Sequence, residues 1–182
     1  MSRDRLRELV REAVREAGAS PRGEAVAIGA DHGGYSLKER LKNYLTEELR
    51  MRVMDCGTHS ADPVDYPDIA EAVGRRVSAG ECGRGLLIDG AGIGSAIAAN
   101  KIPGVRAAVC HDARTAVSSR SHNDANVLCI GAGLLPIGEA RRLVRLFLAT
   151  PFAGGRHARR VEKISALDRT RALRADEGSA GR

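Results

Sequence analysis

Aromatic residues are scarce in this 182-residue chain, which has no Trp, three Tyr and two Phe. A core must therefore be filled mainly by Ala, Val, Leu and Ile, the bulk of its 43% hydrophobic content. Four cysteines, Cys56, Cys82, Cys110 and Cys129, stand far apart with no C-x-x-C pair. That spacing suggests neither a zinc knuckle nor a disulfide scaffold, and it reads as reduced, mostly buried thiols. No apolar run approaches the roughly 20 residues that span a bilayer, and the N-terminus lacks a secretory signal's unbroken hydrophobic segment. A soluble, cytoplasmic protein is expected, with no membrane partner.

Charge of one sign is not gathered into blocks. The 29 Lys and Arg exceed the 23 Asp and Glu for a formal charge of +6, but the two signs are interleaved. This argues against a nucleic-acid partner. The exception is a compact basic cluster, Arg156, His157, Arg159 and Arg160, directly after two glycines, which suits a small anionic substrate.

What the chain has is glycine, 21 residues in all, and a length that fits one domain with short appendages. Residues 2–17 place Leu6, Leu9, Val10, Ala13, Val14 and Ala17 at helical spacing, and Gly18 stops the run. Residues 1–18 are thus an amphipathic helix, and 19–24 a linker. Its stripe packs on its own domain or a dimer mate, docks another protein, or lies on a membrane surface; the spacing alone leaves these open.

From Glu24 short β-rich runs alternate with helical stretches. Ala25–Gly29, Arg52–Cys56, Gly85–Asp89, Arg106–Cys110 and Val127–Ile130 read as strands, with helices at about 36–49, 67–79, 94–101, 112–121 and 137–149. Such alternation predicts right-handed crossovers and a five-stranded parallel sheet in a Rossmann-like three-layer α/β/α sandwich. That domain runs over 25–167, closes with a helix at Ala158–Leu167, and leaves 168–182 as a polar tail, disordered from Arg174.

In open parallel sheets ligands sit beyond the carboxyl ends of the strands. The first strand runs into Gly29-Ala30-Asp31-His32-Gly33-Gly34, and the third into Asp89-Gly90-Ala91-Gly92-Ile93-Gly94-Ser95. The second loop is a glycine turn opening a helix, whose amides can hold an anion. It lacks the Lys-Ser/Thr of a P-loop, and the first strand lacks G-x-G-x-x-G, so nucleotide binding is not expected. Asp89 is either a base or a helix cap. The stretch Ser121-His122-Asn123-Asp124-Ala125-Asn126 offers His122 as a proton carrier, or simply builds a turn at a helix end.

These segments, together with Asp65-Tyr66-Pro67, Ala98-Ala99-Asn100-Lys101 and Gly154-Gly155-Arg156-His157-Ala158-Arg159-Arg160-Val161, closely resemble the type B ribose-5-phosphate isomerases and galactose-6-phosphate isomerase subunits. The similarity runs from about Ala25 to Ile164. It implies a Rossmann-like homodimer, sometimes paired into tetramers, with active sites at the subunit interface and no metal or cofactor. The implied reaction interconverts an aldose phosphate and its ketose through an enediolate. By similarity His122 assists ring opening, and Asp31, Asn123 and Tyr66 bind the sugar. His32, Arg156 and Arg160 hold the phosphate, and the amides from Gly90 through Gly92 to Gly94 face the enediolate oxygen.

Two departures stand out. Many family members carry Cys-Gly-Thr-Gly where this chain has Asp89-Gly90-Ala91-Gly92, and the glutamate base of another branch falls at Ser95. Asp89 is then the one carboxylate left in the loop and the candidate base, provided that burial raises its pKa. The family's phosphate-binding arginine after the fifth strand is replaced in Gly131-Ala132-Gly133. The alternatives are a subunit dependent on a paralogue and a non-catalytic sugar-phosphate sensor. The N-terminal helix resembles peptides that direct enzymes into bacterial microcompartments, which makes a shell protein a candidate partner for residues 1–17.

Overall fold

The computed structural model describes residues 25–179. The expected N-terminal helix and linker, and residues 180–182, lie outside the described residues.

Five strands form one parallel sheet: β1 (Ala25–Ala30), β2 (Arg52–Asp55), β3 (Arg84–Asp89), β4 (Ala107–Val109) and β5 (Val127–Gly131). Their order is β2-β1-β3-β5-β4, and every neighbouring pair is parallel. Between them run α1 (Tyr35–Asn43), α2 (Tyr66–Ser78), α3 (Ile93–Ala99) and α4 (Ala113–Asn123); α5 (Ile137–Ala149) follows β5, and α6 (Ala158–Ser179) closes the chain. Because helices cover both faces, β1 and β5 are buried at every position, as continuous apolar runs in parallel sheets are.

The period-2 alternation of a strand sorts the core into two layers. Val26, Ile28, Leu86, Ile88, Leu128 and Ile130 pack with Leu41 and Leu45, with Val117 of α4, and with Leu143 and Phe147 of α5. Ala27, Leu87, Val127 and Cys129 face Val73 and Val77 of α2 and Ala96 and Ala99 of α3.

Three elements differ from the sequence reading. The helix expected to reach residue 49 leaves α-geometry at Tyr44 for a π-turn, Tyr44–Glu48, closed when Leu49 N donates to Tyr44 O at 3.1 Å. Helix α4 runs two residues past its expected end and takes in His122 and Asn123; Asp124 then terminates it in the left-handed region at φ 46°, which Asp tolerates. The closing helix, expected over Ala158–Leu167, continues to Ser179, since Arg, Ala, Leu and Glu favour helix and no breaker precedes Gly178.

The topology defines two edges. All strands point one way, and each crossover helix runs back against them. The ends of β1 and β3, and the starts of α2 and α3, therefore lie at the carboxyl edge. The ends of α4 and α5 lie at the amino edge. A six-residue strand such as β3 separates these edges by about 20 Å.

Candidate active site

The chain reverses direction across the sheet between β1 and β3, the adjacent strands at which α/β sheets open a crevice. Asp31 and Asp89 stand there side by side. Asp31 N donates to Ile88 O at 3.1 Å, and Asp31 Oδ1 accepts from Gly34 N at 2.8 Å. Gly34 must be glycine, because a Cβ there would lie 2.5 Å from Ile88 O. His32 is exposed; its Nδ1 accepts from Val64 N at 3.4 Å, which leaves Nε2 to face outward as a donor.

Asp89 is 5% exposed. Its Oδ1 accepts from Ala91 N at 2.9 Å and from Gly92 N, and its Oδ2 accepts from Ser95 N at 2.9 Å. Burial pushes its pKa up, but the bonds from the Ser95 hydroxyl and from the Ser95, Gly92 and Ala91 amides outweigh burial and hold the carboxyl below the usual carboxylate value. This is opposite in direction to the rise that the sequence reading required of a base. The amide of Gly92, expected to face a substrate oxygen, donates to Asp89. Gly90 is exposed, and Gly94 seats the ring of Tyr66: a Cβ on Gly94 would lie 2.7 Å from Tyr66 Cζ.

Behind this edge sits a charged network that sequence reading missed. Lys38 is 0% exposed and donates to both oxygens of Asp55, at 2.7 and 2.8 Å. Lys42 donates to Asp55 Oδ2 at 2.8 Å and to Glu39. Asp55 Oδ1 also accepts from Gly57 N at 3.0 Å, and Gly57 and Thr58 exchange backbone hydrogen bonds with Ala30. The network thereby anchors the loop that flanks Asp31 and His32.

His122, Asn123, Arg156 and Arg160 are elsewhere. They lie at the amino edge: His122 and Asn123 at the end of α4, before β5, and Arg156 and Arg160 beyond α5, in a 3-10 turn and the first turn of α6, so this group follows helices rather than strands. The rings of His122 and His157 stack with centroids 4.2 Å apart and planes inclined by 6°. Ser118 Oγ lies 3.1 Å from His122 Nδ1, and Arg156 Nε donates to His157 Nε2 at 3.5 Å. Burial, then the His157, Arg156 and Arg160 charges, lower the pKa of His122 and favour its neutral form. His157 was visible in the sequence as part of the basic cluster, but its pairing with His122 arises only from tertiary packing. Arg156 and Arg160 are exposed.

Asp31, His32, Tyr66 and Asp89 thus gather at one edge of the sheet, and His122, Asn123, Arg156 and Arg160 at the other. The thickness of the sheet keeps them apart within one chain.

Comparison with known proteins gives a consistent answer. Residues 26–164 match the ribose/galactose isomerase family. Ribose-5-phosphate isomerase B of Escherichia coli is 42% identical over 146 residues, covering 80% of this chain and 97% of that protein. The solved structure of the Clostridium thermocellum ribose-5-phosphate isomerase B is 45% identical, with a TM-score of 0.78 over 80% of this chain and 98% of the other. The type B enzyme of Trypanosoma brucei is 46% identical, with a TM-score of 0.76 over 79% of this chain and 98% of the other. These relatives share the Rossmann-like α/β architecture, and this chain belongs to the ribose/galactose isomerase family of sugar-phosphate isomerases.

Proposed function

We propose that this protein interconverts ribose 5-phosphate and ribulose 5-phosphate, in active sites completed by a second copy of the chain. The observation that carries the reading is the division into two half-sites at opposite edges of one sheet. A two-fold pairing that sets the carboxyl edge of one copy against the amino edge of the other unites them twice. Ile93 and Ile97 on α3, 56% and 58% exposed, and Leu134 after β5 offer apolar surface for such pairing; dimers of dimers fit the same logic.

In the united site, His32, Arg156 and Arg160 hold the phosphate. Asp31, Asn123 and Tyr66 bind the sugar, and His122 moves a proton between the ring oxygen and the anomeric hydroxyl to open the ring. Asp89 takes the proton from C2, the C–H electron pair becomes the C1=C2 bond and the C1=O π pair moves onto O1 to give the enediolate. The O2 proton then passes to O1, C2=O forms, and the C1=C2 pair takes the same proton back from Asp89 at C1. No metal or cofactor enters this scheme. Asp89 is ionised at neutral pH and a weak base while three amides hold it. A substrate oxygen that draws the Ala91 and Gly92 amides to itself strengthens Asp89 as a base at the moment when proton transfer needs it. Gly133 supplies no cation, so the phosphate grip rests on His32, Arg156 and Arg160.

The hold on Asp89 also favours a second reading: a subunit that binds sugar phosphate without turnover, either paired with a paralogue or as a sensor. Isomerisation of ribose 5-phosphate and a panel of pentose and hexose phosphates, by wild type and by Asp89→Asn, separates the two. Wild-type turnover that falls about 10²–10⁴-fold in the variant establishes the carboxylate mechanism. Absence of turnover, with no exchange of substrate protons for solvent deuterium, favours the second reading.

Residues 1–17 complete the proposal as a docking peptide for a microcompartment shell protein, with the enzyme in the cytoplasm as cargo. Their support is the amphipathic spacing and their position outside the matched region. Deleting residues 1–20 should abolish shell association and leave turnover intact; turnover lost with the segment would assign it to the enzyme itself.

A further inference from the structure

We propose that Arg120 is a positioning residue for the amino-edge half-site, a buried cross-brace that keeps His122 and Asn123 in register with the arm carrying Arg156, His157 and Arg160. Its kinetic consequences rest on the isomerase reading; its geometry does not.

Arg120 is 3% exposed. Its Nη1 donates to Asp124 Oδ1 at 2.7 Å and to Ala125 O at 2.6 Å, its Nε donates to Thr150 O at 3.3 Å, and its guanidinium lies over the Phe147 ring at 5.8 Å. One side chain thus joins the end of α4, the approach to β5 and the end of α5. Beside it Ala153 N donates to Ser121 O at 3.0 Å. Asp124, the residue after Asn123, is gripped from the other side by Arg106, whose Nη2 meets Asp124 Oδ2 and whose Nε meets Asp124 O, both at 2.9 Å.

The arm after Thr150 has little regular structure before α6, apart from a single 3-10 turn at Gly155–His157. Its placement against α4 must come from such links. The stack of His122 on His157 depends on that placement. So does the direction from which Arg156 and Arg160 reach a phosphate held together with His122.

An arginine suits the place because its rigid fork offers separate nitrogens, Nη1 to Asp124 and Ala125 and Nε to Thr150, whereas an ammonium brings all of its donors to a single atom. Arg120→Lys therefore keeps the charge and removes the brace. The charged and titratable groups around it are Asp124, Arg106 and Arg84 on its own side, and His157, Arg156 and Arg160 on the arm that faces His122.

The decisive experiment measures Arg120→Lys in the full-length protein by steady-state kinetics with ribose 5-phosphate and by NMR titration of His122. We expect a folded protein whose kcat/KM drops about 10- to 100-fold, the scale of a misplacement near 1 Å. The His122 pKa should move up toward that of an ordinary imidazole as the arm relaxes. A folded variant with wild-type kcat, KM and His122 titration, altered only in Tm, would overturn the proposal. Should Arg120→Lys not fold, Asp124→Asn decides: it keeps an acceptor and tolerates the left-handed backbone, and the same shifts at smaller size are expected, whereas no shift rejects the brace. Wild type inactive on every sugar phosphate would sink the isomerase reading alone, and the His122 titration would still decide the role of Arg120.

Discussion

The carboxyl edge of the sheet and its amino edge hold their polar side chains by different means. At the carboxyl edge the loops are short and rich in glycine, and backbone amides do the holding: three of them fasten Asp89, and Gly34 N fastens Asp31. At the amino edge helix ends and a longer arm carry the groups, and side chains do the holding: Arg120 and Arg106 on Asp124, and His157 on His122. Amide cradles are set by backbone geometry and tolerate little motion. Side-chain braces join segments distant in sequence, so they can be changed by single substitutions without rebuilding a strand.

The sharpest way to break this comparison is to mix chains. Asp89→Asn and His122→Asn should each be nearly inactive. Dissociated and reassociated together, they should recover about a quarter of wild-type sites, because half of the random dimers are mixed and each mixed dimer holds one intact site of its two. Recovery near zero would mean that both edges do not serve one site across a dimer.

Next in size is Lys38→Met. Removing one partner of a buried ion pair costs about 3–5 kcal/mol, and Lys42 remaining on Asp55 places the expected loss at the low end, measured by urea unfolding. The loop beside His32 should loosen with it, raising KM more than it lowers kcat. An equal loss in both would move Lys38 out of the positioning role argued from its contacts.

The two edges should also differ in pH response. His122 and His157 have pKa values lowered from 6.5, so between the folded and unfolded values the unfolded chain binds more protons and stability rises with pH. That contribution is complete above about 6.5 and is lost as pH falls through the lowered folded values. Asp89, lowered from 3.8, contributes in the same direction but in a more acidic window. Urea midpoints against pH should therefore show two separate steps. His122→Asn should diminish the upper and Asp89→Asn the lower; a single merged step would contradict the separation.

The smallest effect serves as a control. Asp112 caps α4 at its far end, accepting from Thr115 N at 2.7 Å, while Asp112 N donates to Thr115 Oγ1 at 3.2 Å. Asp112→Ala should cost about 1 kcal/mol with kinetics unchanged. A kinetic effect as large as that of Arg120→Lys would mean that any loosening of α4 disturbs His122, and that the brace is not special.

Much of this molecule is legible in the order of its amino acids. The strands from Ala25, Gly85 and Val127 announce themselves because a parallel strand buried on both faces must be a short apolar run between helical segments. Those from Arg52 and Arg106, at the sheet edges and only partly buried, do so through their place in the strand–helix alternation. The glycine turns after β1 and β3 declare a ligand crevice because only glycine permits approaches as close as that of Gly34 to Ile88 O. Local chemistry of this kind acts over a few residues and is written in order along the chain. What only the tertiary structure decided is everything that joins distant residues. It set the strand order, and with it the placing of Asp89 and His122 at opposite edges. It made Asp89 an amide-bound carboxylate of lowered rather than raised pKa, buried Lys38 against Asp55, stacked His157 on His122, and put Arg120 across the ends of two helices. Apart from the hold on Asp89, which is made by amides two, three and six residues on and needs only the exact path of its loop, each depends on a segment returning in space, and the sequence pattern encodes which residues are buried far more directly than which partners they meet there.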